Sequence, residues 1–173
     1  MTEPTLVPVA YEQFVSDVHM IAIAIAASQW RPDHIVGIGR GGLVPGAYLS
    51  HRTGISLLSV DYSAGVPGFS DELLLKLAAE TKAGVRILLI DDINDSGKTI
   101  VALKGAILGA GGDPACLRVA VLIDNVRSPA KVDYRARTID RSEDKSWFVF
   151  PWEAMAPKET LIEEAEEVPE RLA

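Results

Sequence analysis

The chain has 173 residues, with 17 basic against 24 acidic side chains and a formal net charge of −7. A chain this acidic is a poor candidate for sequence-independent nucleic-acid binding, which needs a basic surface. One cysteine excludes a disulfide within the chain, and the apolar run 20–27 is too short to cross a bilayer. We expect a single domain over residues 1–173. Because the N-terminus has no basic region of a signal peptide, we expect it in the cytoplasm.

The first part of the chain alternates helix and strand patterns. A helix is predicted over residues 11–29, within an N-terminal unit of residues 1–30, because apolar side chains share one helical face and alanine favours a helix. Pro45 falls in the first turn of the next predicted helix, where proline is tolerated. The predicted elements up to residue 60 are a buried strand at 34–38, a helix at 43–53 and a strand at 55–60.

The alternation continues, which is typical of a mainly parallel, doubly wound α/β sheet flanked by helices, with ligands at the carboxyl ends of the strands. Residues 62–70 have turn chemistry and predict a mobile surface loop. Residues 71–82 fit either a short helix or a strand-like arm. The acidic tail, 154–173, predicts a solvated or frayed helix without chemistry. The remaining predictions are a strand at 85–91, a helix at 100–110, a loop at 124–129, and strands at 115–123, 132–139 and 147–150.

The most informative stretch is residues 87–100, which joins a strand to a helix. Its four leading apolar residues predict a strand buried on both faces. Asp91 and Asp92 stand where that strand ends, Asp95 follows, and residues 96–99 turn the chain into the helix. The amides of such a turn face an anion, and carboxylates bind hydroxyls or a hydrated metal. The stretch therefore predicts a site for a sugar phosphate.

Two nucleotide-binding motifs are imitated by this sequence. The glycines of residues 37–42 have the spacing of the dinucleotide-binding fingerprint, and Asp61 falls about where its ribose-binding acid would be. That interpretation leaves the acidic cluster at 91–95 without a role, and a dehydrogenase usually needs a second domain. Residues 97–99 imitate the end of the phosphate-loop motif. Asp92 stands where that motif needs a glycine, and its charge would repel the phosphates.

Residues 87–99 closely resemble the 5-phosphoribosyl 1-diphosphate (PRPP) motif of the type I phosphoribosyltransferases. The resemblance implies transfer of ribose 5-phosphate from PRPP to a nucleobase, with loss of pyrophosphate. It implies that Asp91 and Asp92 hold the ribose hydroxyls and the water shell of Mg²⁺, with Asp92 as the metal residue. Asp95 would accept the proton of the attacking base. The residues implied to bind the 5′-phosphate are Asp95, Ser96, Gly97, Lys98 and Thr99.

Residues 39–47 and 146–153 closely resemble the bacterial xanthine-guanine (6-oxopurine) phosphoribosyltransferases. By that resemblance, Trp147 stacks on the nucleobase and Phe148 lies beside it, whereas Trp152 is expected in the core or in an interface. A flexible lid loop after Asp61 and a small C-terminal hood that binds the base complete the expected fold. The residues implied to bind pyrophosphate are Gly39, Arg40, Gly41 and Gly42.

One position departs from these relatives. Oxopurine enzymes carry a lysine shortly after the strand equivalent to residues 115–123, whereas the corresponding residue here is Asp124. A carboxylate accepts hydrogen bonds and would face a carbonyl oxygen unfavourably. Either Arg127 or Lys131 reads the base instead, or the preferred base presents an amino group there, as adenine and cytosine do. We therefore expect poor turnover of xanthine and hypoxanthine.

The resemblance leaves two alternative functions open and implies an oligomer. Some members of the family sense PRPP or nucleotides and bind nucleic acid, so a non-catalytic regulator on the same fold is the competing class. The net charge of −7 disfavours its nucleic-acid-binding form. A transferase for a non-purine base is the second alternative. Relatives are commonly oligomers, so the resemblance implies a homodimer or homotetramer, with the helix at 43–53 as a candidate interface. No membrane partner is expected.

Overall fold

The structure is a computed structural model that describes residues 4–61 and 71–166. Within these ranges, strands and helices alternate along the chain. The strands are β1 (Leu6–Pro8), β2 (His34–Ile38), β3 (Ser56–Val60), β4 (Ile87–Asn94), β5 (Leu117–Asn125), β6 (Tyr134–Ile139) and β7 (Trp147–Val149). The helices are α1 (Tyr11–Ala27), α2 (Gly39–Thr53), α3 (Asp71–Lys82), α4 (Lys98–Gly109) and α5 (Lys158–Glu166), with 3₁₀ turns at Pro114–Cys116 and Pro151–Glu153.

The central sheet has five strands in the order β3-β2-β4-β5-β6, and every neighbouring pair is parallel. The chain builds outward from β2 to β3 on one side and from β4 through β5 to β6 on the other. The strand order therefore reverses between β2 and β4. In open parallel sheets the carboxyl ends at such a reversal border a crevice in which ligands bind. The predicted doubly wound architecture is confirmed.

Helices cover both faces of this sheet. The alternating side chains of β4 explain how: Leu88 and Ile90 belong to the cluster packed by α1 and α2, whereas Ile87 and Leu89 belong to the cluster packed by α3 and α4. All four are 0% exposed. The prediction of a strand buried on both faces is confirmed. The open question at 71–82 is also resolved, since Leu74 and Leu77 of α3 pack at helical spacing in the second cluster.

Helix α2 begins at Gly39, four residues before the predicted start, so residues 39–42 form its first turn and not a loop. Gly42 explains the close packing, because a Cβ there would lie 2.0 Å from the carbonyl oxygen of Ile90 in β4. Gly39 begins the turn with a φ of +53°, which a glycine adopts readily. Pro45 consequently lies inside the helix and not in its first turn. The glycine pattern that imitates a dinucleotide fingerprint thus packs a helix directly against a strand.

The ends of the chain differ from the sequence prediction. The N-terminal unit contains a strand, β1, which pairs in parallel with β7 as a separate two-stranded sheet. Part of the acidic tail is an ordered helix, α5, whose Leu161 and Ala165 are buried. The predicted lid at 62–70 lies outside the described residues. No helix in the described ranges is long and apolar enough to span a membrane.

Strands β4 and β5 also extend further than predicted, to Asn94 and Asn125. Their polar ends stay in register, because Asn94 pairs with Asp124 across the sheet. The predicted loop at 124–129 therefore begins two residues later.

Candidate active site

Asp91 and Asp92 lie at the carboxyl end of β4, where the order of the strands reverses. The Oδ1 atom of Asp92 accepts a hydrogen bond of 2.7 Å from the amide of Ile93, and Oδ1 of Asp91 accepts one of 3.0 Å from the amide of Asp92. Both side chains line a cleft of about 750 Å³. The cleft also brings together the first turn of α2, Thr99 at the start of α4, and residues 152–164.

The electrostatics of this cleft favour a cation. Burial raises the pKa of Asp91 well above its usual range, and the neighbouring charge of Asp92 adds to the effect. Burial also raises the pKa of Asp92 to about 7, with a further contribution from the charge of Glu153. The pKa of Glu153 is itself raised, chiefly by burial. Three carboxyl groups are thus held in an environment that penalises their negative charge.

These carboxylates fit Mg²⁺ in the manner in which it binds together with a substrate phosphate. Mg²⁺ keeps several waters and binds through one or two carboxylates plus phosphate oxygens, so it does not need a complete protein cage. Within the described ranges no group of three or more side chains converges as a cage. The adjacent pair at Asp91 and Asp92 supplies the two carboxylates that this binding mode uses.

The first turn of α2 forms the opposite wall of the cleft. A Cβ on Gly41 would lie 2.5 Å from Oδ2 of Asp92, so any larger residue would force this carboxylate to shift. Gly39, Arg40 and Gly41 line the cleft, and Gly42 is buried behind them. The guanidinium of Arg40 is 85% exposed and lies 3.6 Å from Glu164 of α5. The backbone amides of this turn begin a helix and are suited to an anion.

A second, smaller cavity of about 110 Å³ adjoins the turn between β4 and α4. It is lined by residues 93–100 together with Asp91. Gly97 has a φ of +77°, and a Cβ on it would lie 2.5 Å from Oγ of Ser128, so the turn packs tightly against the segment after β5. The turn leads directly into the N-terminus of α4, where unpaired amides favour a phosphate. The two cavities share Asp91 and Thr99.

Asp95 is held by a residue that the sequence did not single out. Arg141, whose side chain is 1% exposed, donates from Nε to Oδ1 of Asp95 and from one terminal nitrogen to Oδ2, both at 2.8 Å. Its other terminal nitrogen donates to the carbonyl oxygens of Asp144 and Ser146, at 3.1 and 2.7 Å. The guanidinium also lies 5.4 Å from the ring centre of Phe148.

A buried polar network supports the ends of β4 and β5. Asn94 donates to Oδ1 of Asp124 at 2.8 Å and accepts from Oγ of Ser128 at 2.9 Å. Asn125 donates to the backbone carbonyl of Asp95 at 3.0 Å and accepts from the backbone amide of Arg141 at 3.3 Å. Long-range side-chain pairs of this kind leave no periodic signal in a sequence, which explains why Asn94, Asn125 and Ser128 were not predicted and why Asp124 was predicted only as a residue that contacts the base.

None of the residues predicted to bind the nucleobase lines either cavity. Asp124 is 9% exposed, contacts Asn94 and lies 3.7 Å from Arg135. Trp147 and Phe148 lie on β7, and neither they nor Asp124 belong to the described linings of either cavity. Their roles remain predictions. Trp152 stacks on Phe150 with ring centres 4.7 Å apart and packs against the first cluster, as predicted, but it is only partly buried and also lines the larger cleft.

Comparisons with known proteins agree with this architecture. The family model of the phosphoribosyl transferase domain matches residues 10–157. A purine phosphoribosyltransferase from Pyrococcus horikoshii is 25% identical, with a TM-score of 0.65 over 87% of this chain and 95% of that one. A xanthine-guanine-hypoxanthine phosphoribosyltransferase from Helicobacter pylori is 21% identical, with a TM-score of 0.61 over 85% and 92%.

A third structure, a hypothetical protein from Neisseria gonorrhoeae with bound ppGpp, is 20% identical, with a TM-score of 0.68 over 100% of this chain and 99% of that one. Because the second and third structures are less than 25% identical, they show the fold alone. The family model covers most of the chain, including the carboxylate pair, both turns and β7. The chain belongs to the phosphoribosyltransferase family.

Proposed function

We propose that this enzyme joins a purine base to the ribose 5-phosphate of PRPP and releases pyrophosphate. The observation that carries the proposal is the arrangement around β4. Asp91 and Asp92 stand between a small cavity at a helix N-terminus and a larger cleft walled by a glycine turn. PRPP carries a phosphate at one end, a diol in the middle and a diphosphate at the other end. The order of the sites matches the order of these groups.

Each part of PRPP has a proposed binding group. The amides and hydroxyls of residues 95–99 hold the 5′-phosphate in the 110 Å³ cavity. Asp91 and Asp92 accept the ribose hydroxyls, and Asp92 holds a water of the hydrated Mg²⁺. The turn at residues 39–42 binds the diphosphate through its amides, and Arg40 adds a cation at the mouth of the cleft. When bound, Mg²⁺ supplies positive charge to the diphosphate and so makes it a better leaving group.

The reaction forms one bond to C1′ and breaks another. A ring nitrogen of the base bonds to C1′ while the bond from C1′ to the diphosphate oxygen breaks, and its electron pair leaves with pyrophosphate. Positive charge develops on the sugar, and the carboxylates of Asp91 and Asp92 stabilise it. Asp95 accepts the proton that the nitrogen loses, and the 2.8 Å fork from Arg141 keeps its carboxylate oriented.

The 25% identity with the purine enzyme from Pyrococcus horikoshii supports a purine as the acceptor. We retain the prediction that Trp147 and Phe148 form the stacking surface, worth about 1–3 kcal/mol per base. The consequence of Asp124 for the choice of base also remains a prediction. Its contact with Asn94 offers a structural reason for the carboxylate that does not involve the base.

The test is pyrophosphate release from PRPP and Mg²⁺ with a panel of bases: adenine, guanine, hypoxanthine, xanthine and cytosine. We expect release to require PRPP and a purine. Rapid turnover of micromolar hypoxanthine would refute the prediction drawn from Asp124 and leave the proposed function intact. Binding of PRPP without turnover of any base would instead indicate a non-catalytic sensor.

Two aspartate variants provide a matched comparison. Asp91→Asn should abolish most of the activity, because it removes a carboxylate from the ribose site. Asp113→Asn is the control. Asp113 is half-buried beside the amino end of β5, outside both cavities, where its side chain accepts a hydrogen bond from the amide of Ala115 at 2.9 Å. Equal activity losses in the two variants would contradict the assignment of the ribose site.

A further inference from the structure

Arg141 links two parts of the molecule that are distant in the sequence. Its guanidinium contacts the carboxylate of Asp95, after β4, and the carbonyl oxygens of Asp144 and Ser146, immediately before β7. Four of its five N–H groups can be accounted for by these bonds. A bidentate pair fixes both the position and the plane of a carboxylate, which a single contact does not.

Asn125 provides a second link between the same two segments. Its side chain is 3% exposed, donates to the backbone carbonyl of Asp95 and accepts from the backbone amide of Arg141. Asp95 is thus connected to residue 141 through both its side chain and its backbone. Two independent connections restrict relative movement of the segments more than either connection alone.

The position of the link suggests its role. Residue 147 directly follows the carbonyls that Arg141 binds, and its amide donates to the carbonyl oxygen of Thr5 at 2.8 Å. Phe148 packs against the guanidinium, with its ring centre 5.4 Å away. Building on the proposed function, we propose that Arg141 is a positioning residue for the nucleobase. It fixes the distance between the proton acceptor, Asp95, and the stacking surface on β7.

A purely stabilising arginine would affect both substrates alike, whereas a positioning residue for the base affects the base selectively. Within the proposed phosphate cavity, the fork of Arg141 contacts only the carboxylate of Asp95, whereas the phosphate is proposed to bind amides and hydroxyls, and the cavity is shaped by the packing of Gly97 against Ser128. The proposed PRPP site therefore depends on this fork less than the proposed base site does. Loss of the fork should raise the KM for the base and leave the KM for PRPP nearly unchanged.

Arg141→Lys is the test variant, because lysine keeps the charge and loses the planar fork. We expect the KM for the base to rise about 10-fold or more, a loss of about 1.4 kcal/mol per factor of ten, with less than a 3-fold change for PRPP. Arg137→Lys is the matched control. Arg137 forms an ion pair of 2.8 Å with Asp17, which is 1% exposed, between β6 and α1. This variant should lose stability without changing either KM.

Asn125→Ser provides a second variant if Arg141→Lys does not fold. It removes the donor to the Asp95 carbonyl while the guanidinium stays in place, so we expect the same selective effect at a smaller size. Equal changes in the two KM values, or the same pattern in Arg137→Lys, would overturn the inference while the proposed function stands. If the wild-type enzyme turns over no base with PRPP, the proposed function fails and the inference falls with it.

Discussion

Gly42 offers the sharpest test of how helix α2 is seated on the sheet. In Gly42→Ala, the added Cβ would lie 2.0 Å from the carbonyl oxygen of Ile90 and 3.0 Å from its carbonyl carbon. Both are backbone atoms, so no side chain can rotate away, and the first turn of α2 has to move off β4. Overpacking of this kind costs about 1–3 kcal/mol. For a chain of this length, about 2–4 °C of Tm is lost per kcal/mol.

The functional consequence follows from the same displacement. Moving the first turn of α2 shifts the amides of Gly39 and Gly41 away from the carboxylate of Asp92. We expect the KM for PRPP to rise together with the loss of stability. Thermal unfolding followed by circular dichroism, combined with steady-state kinetics, measures both effects on one preparation.

Gly105→Ala is the matched control, because Gly105 also lies inside a helix and a Cβ there would meet no atom within 4 Å. Alanine in an open helical position should stabilise the enzyme by about 0.5–1 kcal/mol. The two substitutions are chemically identical and are predicted to have opposite signs. A Gly42→Ala enzyme with the Tm and the KM of the wild type would refute this account of the glycine turn.

Three further predictions concern charge and packing. Asp95→Asn should lower kcat by about 10²–10⁴-fold, with little change in PRPP binding. It should also destabilise the fold by about 3–5 kcal/mol, because buried Arg141 loses its charged partner. An unchanged kcat in the folded variant would show that Asp95 does not accept the proton. Because the pKa of Asp92 is raised from 3.8 to about 7, the stability of the ligand-free enzyme should fall as the pH rises through this window. Asp92→Asn should flatten that dependence, and an unchanged Tm–pH profile in the variant would argue against it. Trp152→Ala should destabilise the fold by less than the about 3–5 kcal/mol lost with a fully buried aromatic side chain, because the indole stacks on Phe150 but is only partly buried. A variant as stable as the wild type in a urea titration would contradict this packing.

Local sequence patterns were sufficient to predict most of the fold. The apolar run of β4 predicts its own burial, because a strand that lies between two neighbouring strands and under helices on both faces has no polar position. Where the strands end was harder to predict. Asn94 and Asp124 are polar, yet they continue the ladder because each satisfies the other.

The start of α2 was misplaced for a related reason. Glycine is a poor helix former, so residues 39–42 indicated a loop. These residues are helical because Gly42 allows α2 to pack directly against Ile90. Local helix propensity cannot predict a contact between residues that are 48 positions apart in the sequence. Strand β1 was missed because three residues are too few to show a period. The tail did offer a signal, since Leu161 and Ala165 are four residues apart and share one helical face.

The residues of the candidate site also fall into a group that the sequence predicts and a group that it does not. The carboxylates at 91, 92 and 95 and the turn at 96–99 are contiguous, so their arrangement could be proposed from the sequence. Arg141 lies 46 residues from the carboxylate it binds, in a turn rich in charged residues. In the sequence it is indistinguishable from a surface arginine, and only the fold reveals that its side chain is 1% exposed.

The central claim is that this chain transfers the phosphoribosyl group of PRPP to a base. ³¹P NMR of PRPP, Mg²⁺ and a purine mixed with catalytic amounts of the enzyme tests it most directly, because substrate and both products carry phosphorus. We predict that the signals of PRPP are replaced by those of pyrophosphate and a nucleoside 5′-monophosphate in equal amounts. Pyrophosphate with free ribose 5-phosphate, or no loss of PRPP with any base, would contradict the account.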